Sequence, residues 1–260
     1  MSSEGLRIDI RRGEILDILT REGKVRVSEL SSLFDVSEVT IRSDLDVLER
    51  SGQLERVSGG AVQTMKSYYN MDYQQRKSRH ADYKHAIAVA AANLVSDGET
   101  LMINSGTTTF FTAVELKKKK NLSILTNSLS VATELGDFPT FRVILLGGEI
   151  NPHYSFTYGN EAVSSLRKYK ADKCIISVDG ICAASGLTTY HAQEAEVCRL
   201  MIERSAQKIV VADGSKFGHE SFYNICDISQ IDTWVTNEIP LAGKINEIHD
   251  KGVDIIQCHV

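Results

Sequence analysis

Residues 36–61 read VSEVTIRSDLDVLERSGQLERVSGGA, and this stretch decides the fold of the first part of the chain. Ser37 is a residue type that caps helix N-termini. Ile41, Leu45 and Leu48 follow at helical spacing, which directs one apolar stripe toward a core. The pattern therefore predicts a short helix after Ser37, with an opposite face that carries Thr40, Arg42, Ser43 and Asp46.

A small β-hairpin is predicted directly after this helix. Gly52 supplies the left-handed residue that commonly ends a helix. Residues 53–57 then pair with residues 61–63 across a turn made of Ser58, Gly59 and Gly60. The two glycines would let such a hairpin approach a phosphate backbone closely.

Two further helices are predicted upstream. The first is marked by Ile8, Ile15, Ile18 and Leu19 and ends at Gly23, and the second covers residues 28–34, with inward positions at Leu30, Leu33 and Phe34. This order of elements predicts a winged helix-turn-helix over residues 1–62, with the third helix as the recognition helix, and it indicates double-stranded DNA as a partner.

The residues expected to contact DNA lie on the third helix and in the hairpin: Ser37, Thr40, Arg42, Ser43, Arg56, Ser58, Gly59 and Gly60. Residues 1–62 nevertheless contain nine Lys and Arg against twelve Asp and Glu, a net formal charge of −3, where a basic surface is usual. The alternative is a packing module without DNA affinity. DNA binding requires local attraction, from Arg42 and Arg56 together with Arg11, Arg12 and Lys24.

Length and composition indicate two domains. The 260 residues exceed one average domain, and the formal charge of −5 and isoelectric point near 5.8 argue against non-specific coating of nucleic acid. The five cysteines show no CxxC spacing, so we expect reduced thiols and neither a metal site nor a cofactor. We expect a cytoplasmic protein, because no signal peptide and no apolar run of roughly eighteen residues is found.

Residues 63–82 are predicted to be a linker, because the apolar periodicity fades there. Lys66, Arg76, Lys77 and Arg79 make this segment basic, so it either touches DNA beside the hairpin or forms a solvated hinge. The tyrosines in it, Tyr68, Tyr69 and Tyr73, suggest that part of the linker packs against a surface.

Residues 83–260 are predicted to form an α/β domain. Apolar runs at 99–104 and 122–125 alternate with amphipathic helices at 83–95 and 107–116, which is typical of a parallel sheet covered on both faces. The single tryptophan, Trp234, lies in an apolar run and is expected in the core.

Six predicted strands of this domain end in small, polar or charged residues. In an open parallel sheet these ends converge on one crevice where ligands bind. The residues expected to line the crevice are Asn104, Ser105, Gly106, Thr107, Thr108, Thr109, Thr126, Asn127, Ser128, Gly147, Gly148, Asp179, Gly180, Glu194 and Lys216, and two further strand ends add Asp213 and Glu238.

The sequence SGTTT at residues 105–109 is the most informative part of the predicted crevice. A glycine flanked by hydroxyl groups at a helix N-terminus exposes backbone amides and favours a phosphate. The stretch is not the GxxxxGK[ST] nucleotide loop, so we expect a small phosphorylated molecule; alternatively, the threonines only cap the helix. Lys216 could add a second charge for the phosphate, and Asp179 and Glu194 could accept hydrogen bonds from sugar hydroxyls.

Over essentially its whole length the chain resembles the DeoR family of bacterial transcriptional repressors of sugar metabolism. The matching stretches are residues 36–61 followed, in order, by SGTTT, LTNSL, LLGGEI, SVDGI, GLTTYHAQEAEV and VADGSKFG. The resemblance implies a repressor of a carbohydrate operon whose C-terminal domain has the fold of ribose-5-phosphate isomerase and senses a phosphorylated sugar.

The resemblance also places functional residues in this chain. Thr40, Arg42 and Ser43 fall on the recognition helix and residues 56–60 in the wing. The sugar-phosphate site receives residues 105–109, Asp179, Glu194 and Lys216. Two positions depart from the family pattern. Ser43 stands where a second basic residue is usual, and Asn104 stands where aspartate is frequent, which implies a missing DNA contact and a changed hydroxyl selectivity.

Two other functions compete with a ligand-sensing repressor. A sugar-phosphate isomerase fused to a DNA-binding head would need a carboxylate to move a proton, and Glu194 or Asp179 could serve, with Lys216 beside them. A scaffold that binds neither ligand leaves the polar strand ends unexplained. Palindromic operators favour an even-numbered homo-oligomer, a dimer or a tetramer.

Overall fold

The N-terminal unit consists of helices packed on a small antiparallel sheet. The computed structural model describes residues 3–64, 71–237, 239 and 242–259, and the chain divides into two compact units, Met1–His80 and Ala81–Val260. The elements of the first unit are α1 (Ser3–Glu22), β1 (Lys24–Arg26), α2 (Val27–Phe34), α3 (Glu38–Arg50), β2 (Leu54–Val57), β3 (Gly60–Gln63) and α4 (Tyr73–Ser78). This order confirms the predicted winged helix-turn-helix.

The predicted recognition helix is α3, and it begins where the sequence indicates. The Ser37 hydroxyl accepts a hydrogen bond from the Thr40 amide at 3.2 Å, which caps the first turn. Ile41, Leu45 and Leu48 are buried in one cluster with residues of α1 and α2. The prediction that Leu33 points inward is wrong, because Val27 and Leu30 define the buried face of α2 and leave Leu33 64% exposed.

The wing has three strands, one more than the sequence predicts. β3 pairs with β2 on one side and with β1 on the other, both antiparallel. A Cβ atom on Gly60 would lie 2.0 Å from the carbonyl oxygen of Val25, so this glycine is needed for the β1–β3 contact whether or not DNA is present. Gly59 at the turn has φ +77°, which favours glycine for its backbone conformation.

A buried carboxylate joins α1 to α3. The side chain of Asp44 is only 3% exposed, and its two oxygens accept hydrogen bonds from the Nε atoms of Arg11 at 2.6 Å and Arg12 at 2.8 Å. Because charge-assisted hydrogen bonds of this kind are strong, they tie the recognition helix to α1. Arg11 and Arg12, expected as sources of phosphate attraction, are thus committed to Asp44.

The segment predicted as a linker is partly helical. Asp72 and Gln75 form a capping box, in which the Gln75 amide donates to Asp72 at 2.8 Å and the Asp72 amide donates to Gln75 at 3.0 Å. This signal for helix initiation starts α4, and Tyr73 at its first position is buried. Lys66, Tyr68 and Tyr69 lie outside the described residues.

The second unit contains most of the chain's strands. Its elements are α5 (Ala81–Asn93), β4 (Thr100–Ile103), α6 (Thr107–Leu116), β5 (Ser123–Thr126), α7 (Leu129–Gly136), β6 (Arg142–Leu145), β7 (Glu149–Asn151), β8 (Phe156–Tyr158), α8 (Asn160–Leu166), β9 (Ala171–Ile176), β10 (Gly180–Cys182), β11 (Gly186–Thr189), α9 (Ala192–Glu203), β12 (Ser205–Val211), β13 (Tyr223–Cys226), β14 (Thr233–Asn237), α10 (Ala242–His249) and β15 (Asp254–Cys258).

Seven parallel strands form the central sheet, in the order β15-β14-β12-β9-β4-β5-β6. The chain winds outward from β4 through β5 to β6 and then returns to the other side of β4 at β9. The loops after β4 and β9 consequently leave the sheet in opposite directions and open a crevice between them. A hairpin, β7-β8, and a small antiparallel sheet, β10-β11-β13, complete the unit.

Successive strand residues face opposite sides of the sheet, and both sides are covered. Met102 and Cys174 belong to one apolar cluster, whereas Leu101, Ile103 and Ile175 belong to the other. Trp234 is fully buried and its indole Nε1 donates to the Ala212 carbonyl at 3.1 Å, which confirms its predicted place in the core. In the part of the chain that is described, no helix combines the length and apolar character needed to cross a bilayer.

We predict that Asp44→Ala destabilises the N-terminal unit by about 1.5–3 kcal/mol, because a buried acceptor of two charged hydrogen bonds is lost. Trp234 lies in the second unit and reports only on that unit. In urea unfolding followed by circular dichroism, the transition of the first unit should therefore move to a lower urea concentration. The transition followed by tryptophan fluorescence should keep its midpoint. The matched control is Asp17→Ala, which removes an exposed carboxylate from α1. Equal transitions for Asp44→Ala and wild type would remove Asp44 from this role.

Candidate functional site

The outer face of α3 carries an exposed ion pair. Arg42 and Glu38 lie one turn apart, with an Nη2 to Oε2 distance of 2.5 Å, and both side chains are exposed. Thr40 and Ser37 share a hydrogen bond between their hydroxyls at 2.9 Å. Ser43 is exposed beside them, so the four predicted helix contacts lie on or next to one accessible surface.

Arg56 connects the wing to α3. Its Nη1 donates to Asp46 at 2.5 Å and to the Arg42 carbonyl at 3.1 Å, and its backbone amide donates to Glu49 at 2.9 Å. These contacts hold β2 against the recognition helix. A direct DNA contact of Arg56 stays a prediction, as it does for the exposed turn residues Ser58 and Gly59.

In the second unit, Asn104 joins the two strands that border the crevice. Its Nδ2 donates to the Ser177 carbonyl at 2.9 Å and its Oδ1 accepts from the Ser177 amide at 2.9 Å. The same Nδ2 lies 3.1 Å from Cys198 Sγ, and burial together with the charge of Glu194 raises the pKa of this thiol well above its ordinary value. Asn104 is fully buried, so its side-chain amide holds the two strand ends together and is not exposed in the crevice.

The loop after β4 leads into α6 without a side-chain cap. The N-cap position is Gly106, which has no side chain that could accept a hydrogen bond from the first-turn amides. A Cβ atom on Gly106 would lie 1.8 Å from Ser177 Oγ, so a larger residue there would force the Ser177 side chain to move. The Thr109 hydroxyl lies 3.0 Å from both the Asn104 and the Gly106 carbonyl oxygens and donates its one hydrogen to either of them, so it does not block the amides.

Two carboxylates meet beside this loop. Ser105 Oγ donates to Glu194 Oε1 at 3.1 Å, and the Thr189 hydroxyl lies 3.0 Å from Glu194 Oε2 and 3.1 Å from Asp179 Oδ2. A hydroxyl has one hydrogen, so Thr189 donates to one carboxylate at a time. The Tyr190 amide donates to Asp179 at 3.0 Å. Sequence reasoning missed Thr189, although it ends strand β11 in the GLTTY stretch.

The loop after β5 supports the loop after β4. Asn127 Oδ1 accepts from the Ser105 amide at 3.1 Å, and its Nδ2 donates to the Thr157 carbonyl at 3.2 Å. Ser128 caps α7 by accepting from the Val131 amide. Thr126 donates to the Ile103 carbonyl at 2.7 Å. These three predicted lining residues are all buried and hold neighbouring backbone in place.

Lys216 follows β12 in a short turn that Asp213 caps, with the Ser215 amide donating to Asp213 at 3.0 Å. Burial and, secondarily, the Lys216 charge lower the pKa of His219. A Cβ atom on Gly180 would lie 2.3 Å from the His219 carbonyl oxygen, so this segment packs directly on the loop after β9. The Gly218 amide also donates to the Ile181 carbonyl at 2.8 Å, so the segment that follows Lys216 is joined to β10.

The glycines after β6 have a backbone role. Gly148 has φ +129°, and a Cβ atom there would lie 2.2 Å from the Tyr158 carbonyl oxygen where β7 and β8 meet. Gly147 has open space around its Cα. The last polar strand end, Glu238, lies outside the described residues. Among those that are described, no group of His, Cys, Asp or Glu side chains suits a metal ion, and all five cysteines are free thiols.

Comparison with known proteins matches both units. The DeoR-like helix-turn-helix domain matches residues 11–66, and the DeoR C terminal sensor domain matches residues 79–238. The HTH-type transcriptional repressor CsqR of Escherichia coli is 32% identical over 98% of this chain and 98% of its own length.

Two further relatives are named for the systems that they repress. The glycerol-3-phosphate regulon repressor of Escherichia coli is 31% identical over 95% of this chain and 98% of its own length. The lactose phosphotransferase system repressor of Streptococcus mutans is 33% identical over 89% and 93%. Among solved structures, ribose 5-phosphate isomerase from Plasmodium falciparum aligns over 52% of each chain, with 16% identity and a TM-score of 0.39.

We predict that Asn104→Asp destabilises the second unit by about 1–3 kcal/mol, because aspartate cannot donate to the Ser177 carbonyl and leaves it unsatisfied in a buried site. Urea unfolding followed by Trp234 fluorescence measures this change. The control is Asn160→Asp at the exposed start of α8, where the same substitution should have little effect. Wild-type stability of Asn104→Asp would mean that the two strand ends are held together by other contacts.

Proposed function

The chain belongs to the DeoR family of transcriptional repressors, and on that premise we propose that a phosphorylated sugar, bound in the crevice between the loops after β4 and β9, controls its hold on operator DNA. The protein is a DNA-binding regulator of sugar metabolism, and its winged helix-turn-helix is the DNA-binding unit. We infer that it acts in the cytoplasm, where its operator is found.

The observation that carries the effector proposal is the start of α6. This helix begins in the crevice with a glycine N-cap, and its first-turn amides have no side-chain cap. The hydroxyls of Thr107 and Thr108 make no hydrogen bond within the described part of the chain. A helix N-terminus with open amides and nearby hydroxyl groups is well suited to a phosphate. The alternative, in which the threonines cap the helix, is disfavoured because neither does so.

The rest of the crevice suits a polyol. Asp179 and Glu194 bring two carboxylates to one hydroxyl of Thr189, and carboxylates are strong acceptors for sugar hydroxyl groups. Lys216 on the neighbouring turn supplies positive charge for the phosphate. The sugar phosphate would thus be held at its phosphate by residues 105–109 and at its hydroxyls by the carboxylates.

Binding at this crevice would act on DNA affinity through an assembly of at least two copies. Half-sites of a two-fold operator lie about 34–36 Å apart or at multiples of that distance, so a two-headed assembly binds only at the correct head spacing. A ligand that binds more tightly at another spacing lowers operator affinity by at most its differential affinity for the two states. We infer a homo-oligomer on this basis.

A sugar-phosphate isomerase is the second candidate, since the same carboxylates could move a proton between adjacent carbons. A regulator needs only differential binding, and the relatives are named as repressors. Incubating the full chain with aldose and ketose phosphates, and following their interconversion, separates the two. Turnover above the uncatalysed rate would assign an enzymatic activity to the crevice.

The effector proposal is tested by a thermal-shift screen of the full chain with sugar phosphates, each paired with its unphosphorylated sugar. A ligand present at a hundred times its dissociation constant should stabilise the unit that binds it by about 2.7 kcal/mol. We expect a shift with one or more sugar phosphates and none with the matching free sugars. Equal shifts with a sugar and its phosphate would contradict a phosphate site at α6.

We predict that Thr107→Glu abolishes that thermal shift and the ligand's effect on operator binding, because a carboxylate at the open amides repels the phosphate. Operator affinity without ligand should stay near the wild-type value. Thr133→Glu, on an exposed position of α7, is the matched control and should keep the response. A Thr107→Glu protein with wild-type ligand sensitivity would leave residues 105–109 as ordinary helix-start residues.

We predict that Arg42→Ala weakens operator binding by about 1–3 kcal/mol, the range for loss of one base contact, and leaves the fold intact. The fold should survive because an exposed ion pair such as Arg42–Glu38 contributes little to stability. Fluorescence anisotropy on an operator selected in vitro measures the change, with Arg50→Ala at the end of α3 as control. Unchanged affinity of a normally folded Arg42→Ala protein would place the reading surface elsewhere.

A further inference from the structure

Val39 is a large apolar side chain that points into solvent from the first turn of the recognition helix. It is 72% exposed, whereas Ile41, Leu45 and Leu48 on the same helix are buried. No hydrophobic cluster of the N-terminal unit includes it among the described residues. Val39 therefore contributes nothing visible to the packing of the head.

The position of Val39 places it on the DNA-reading face. Residues three, four and seven positions further along a helix share a face, and here those residues are Arg42, Ser43 and Asp46, all of them exposed. In a helix-turn-helix the N-terminal residues of the recognition helix contact base edges in the major groove. Val39 is thus continuous with the predicted DNA-binding surface of α3 and lies at the N-terminal end of that surface.

The charged members of this face already have partners in the protein. Arg42 pairs with Glu38, and Asp46 pairs with Arg56 of the wing. Ser43 stands between them with a single hydroxyl. Val39 is the only large apolar side chain exposed on α3, and it can neither donate a hydrogen bond to a base nor pair with a phosphate.

We propose that Val39 is a specificity-determining residue that contacts the 5-methyl group of a thymine in each operator half-site. The thymine methyl is the apolar feature of the major groove, and apolar side chains discriminate bases by contact with it. This inference depends on DNA binding by the winged helix-turn-helix and not on the sugar-phosphate proposal. If Val39 makes this contact, each operator half-site contains at least one thymine whose methyl group faces the start of α3.

The test uses the full chain and an operator selected from a random duplex pool. Each thymine of the half-site is replaced in turn by deoxyuridine, in both half-sites together, which removes the methyl group and leaves base pairing unchanged. Dissociation constants are measured for wild type, Val39→Ala and Val39→Ile. At one thymine the wild type should bind about fourfold more weakly per half-site, the ratio that burial of one methyl group supplies. The Val39→Ala protein should bind the deoxyuridine operator at that position as tightly as the thymine operator. The Val39→Ile protein should show the same loss of affinity as the wild type.

Two controls keep the outcome clear. Ile10→Ala removes another exposed apolar side chain, on α1, and should leave the thymine dependence unchanged. Circular dichroism checks that each variant folds; if Val39→Ala does not, Val39→Thr, which preserves the side-chain shape but replaces one methyl with a hydroxyl, takes its place and should reduce the loss. The proposal is overturned if no thymine shows a methyl dependence in the wild type. It is also overturned if a folded Val39→Ala protein keeps the wild-type loss at every position.

Discussion

The crevice of the second unit depends on the adjacency of β4 and β9. The chain adds later strands on opposite sides of this pair, β5 next to β4 and β12 next to β9. Asn104 holds these strand ends together with a donor and an acceptor directed at the two backbone groups of Ser177. Gly106 lets the loop after β4 pass within contact distance of Ser177, where a larger residue would clash. Together they place the uncapped start of α6 beside Glu194, to which Ser105 donates. The proposed phosphate position and the proposed hydroxyl acceptors are thus consequences of one strand junction.

The N-terminal unit holds the recognition helix rigidly, although the net negative charge of residues 1–62 is unfavourable for DNA binding. Three arginines expected to attract phosphates form ion pairs within the unit: Arg11 and Arg12 pair with the buried Asp44, and Arg56 pairs with Asp46. We therefore propose that rigid placement of α3 and the wing leaves base contacts and bivalent binding as the main sources of affinity. Such a design is sensitive to head spacing, and that is the property a ligand-controlled repressor needs.

The sequence predicts features set by local signals and misses features set by tertiary contacts. Ser37 and the spacing of Ile41, Leu45 and Leu48 give α3 its start and its buried face, and the SGTTT stretch marks the start of α6 correctly. Strand β1 is missed because its three residues are a strand only through pairing with β3. The supporting role of Asn104 and the place of Thr189 between two carboxylates follow from residues more than seventy and about ten positions away, respectively, in the chain. No periodicity reports on such contacts.

The most direct test of the account is hydrogen exchange at the first-turn amides of α6 in the full chain. The peptide that contains residues 106–109 is followed by mass spectrometry with and without the sugar phosphate that stabilises the protein most, and with the corresponding free sugar. The account predicts slower exchange at these amides with the sugar phosphate alone, because the phosphate oxygens accept their hydrogen bonds. Release of operator DNA by a sugar phosphate that leaves exchange at residues 106–109 unchanged would contradict it.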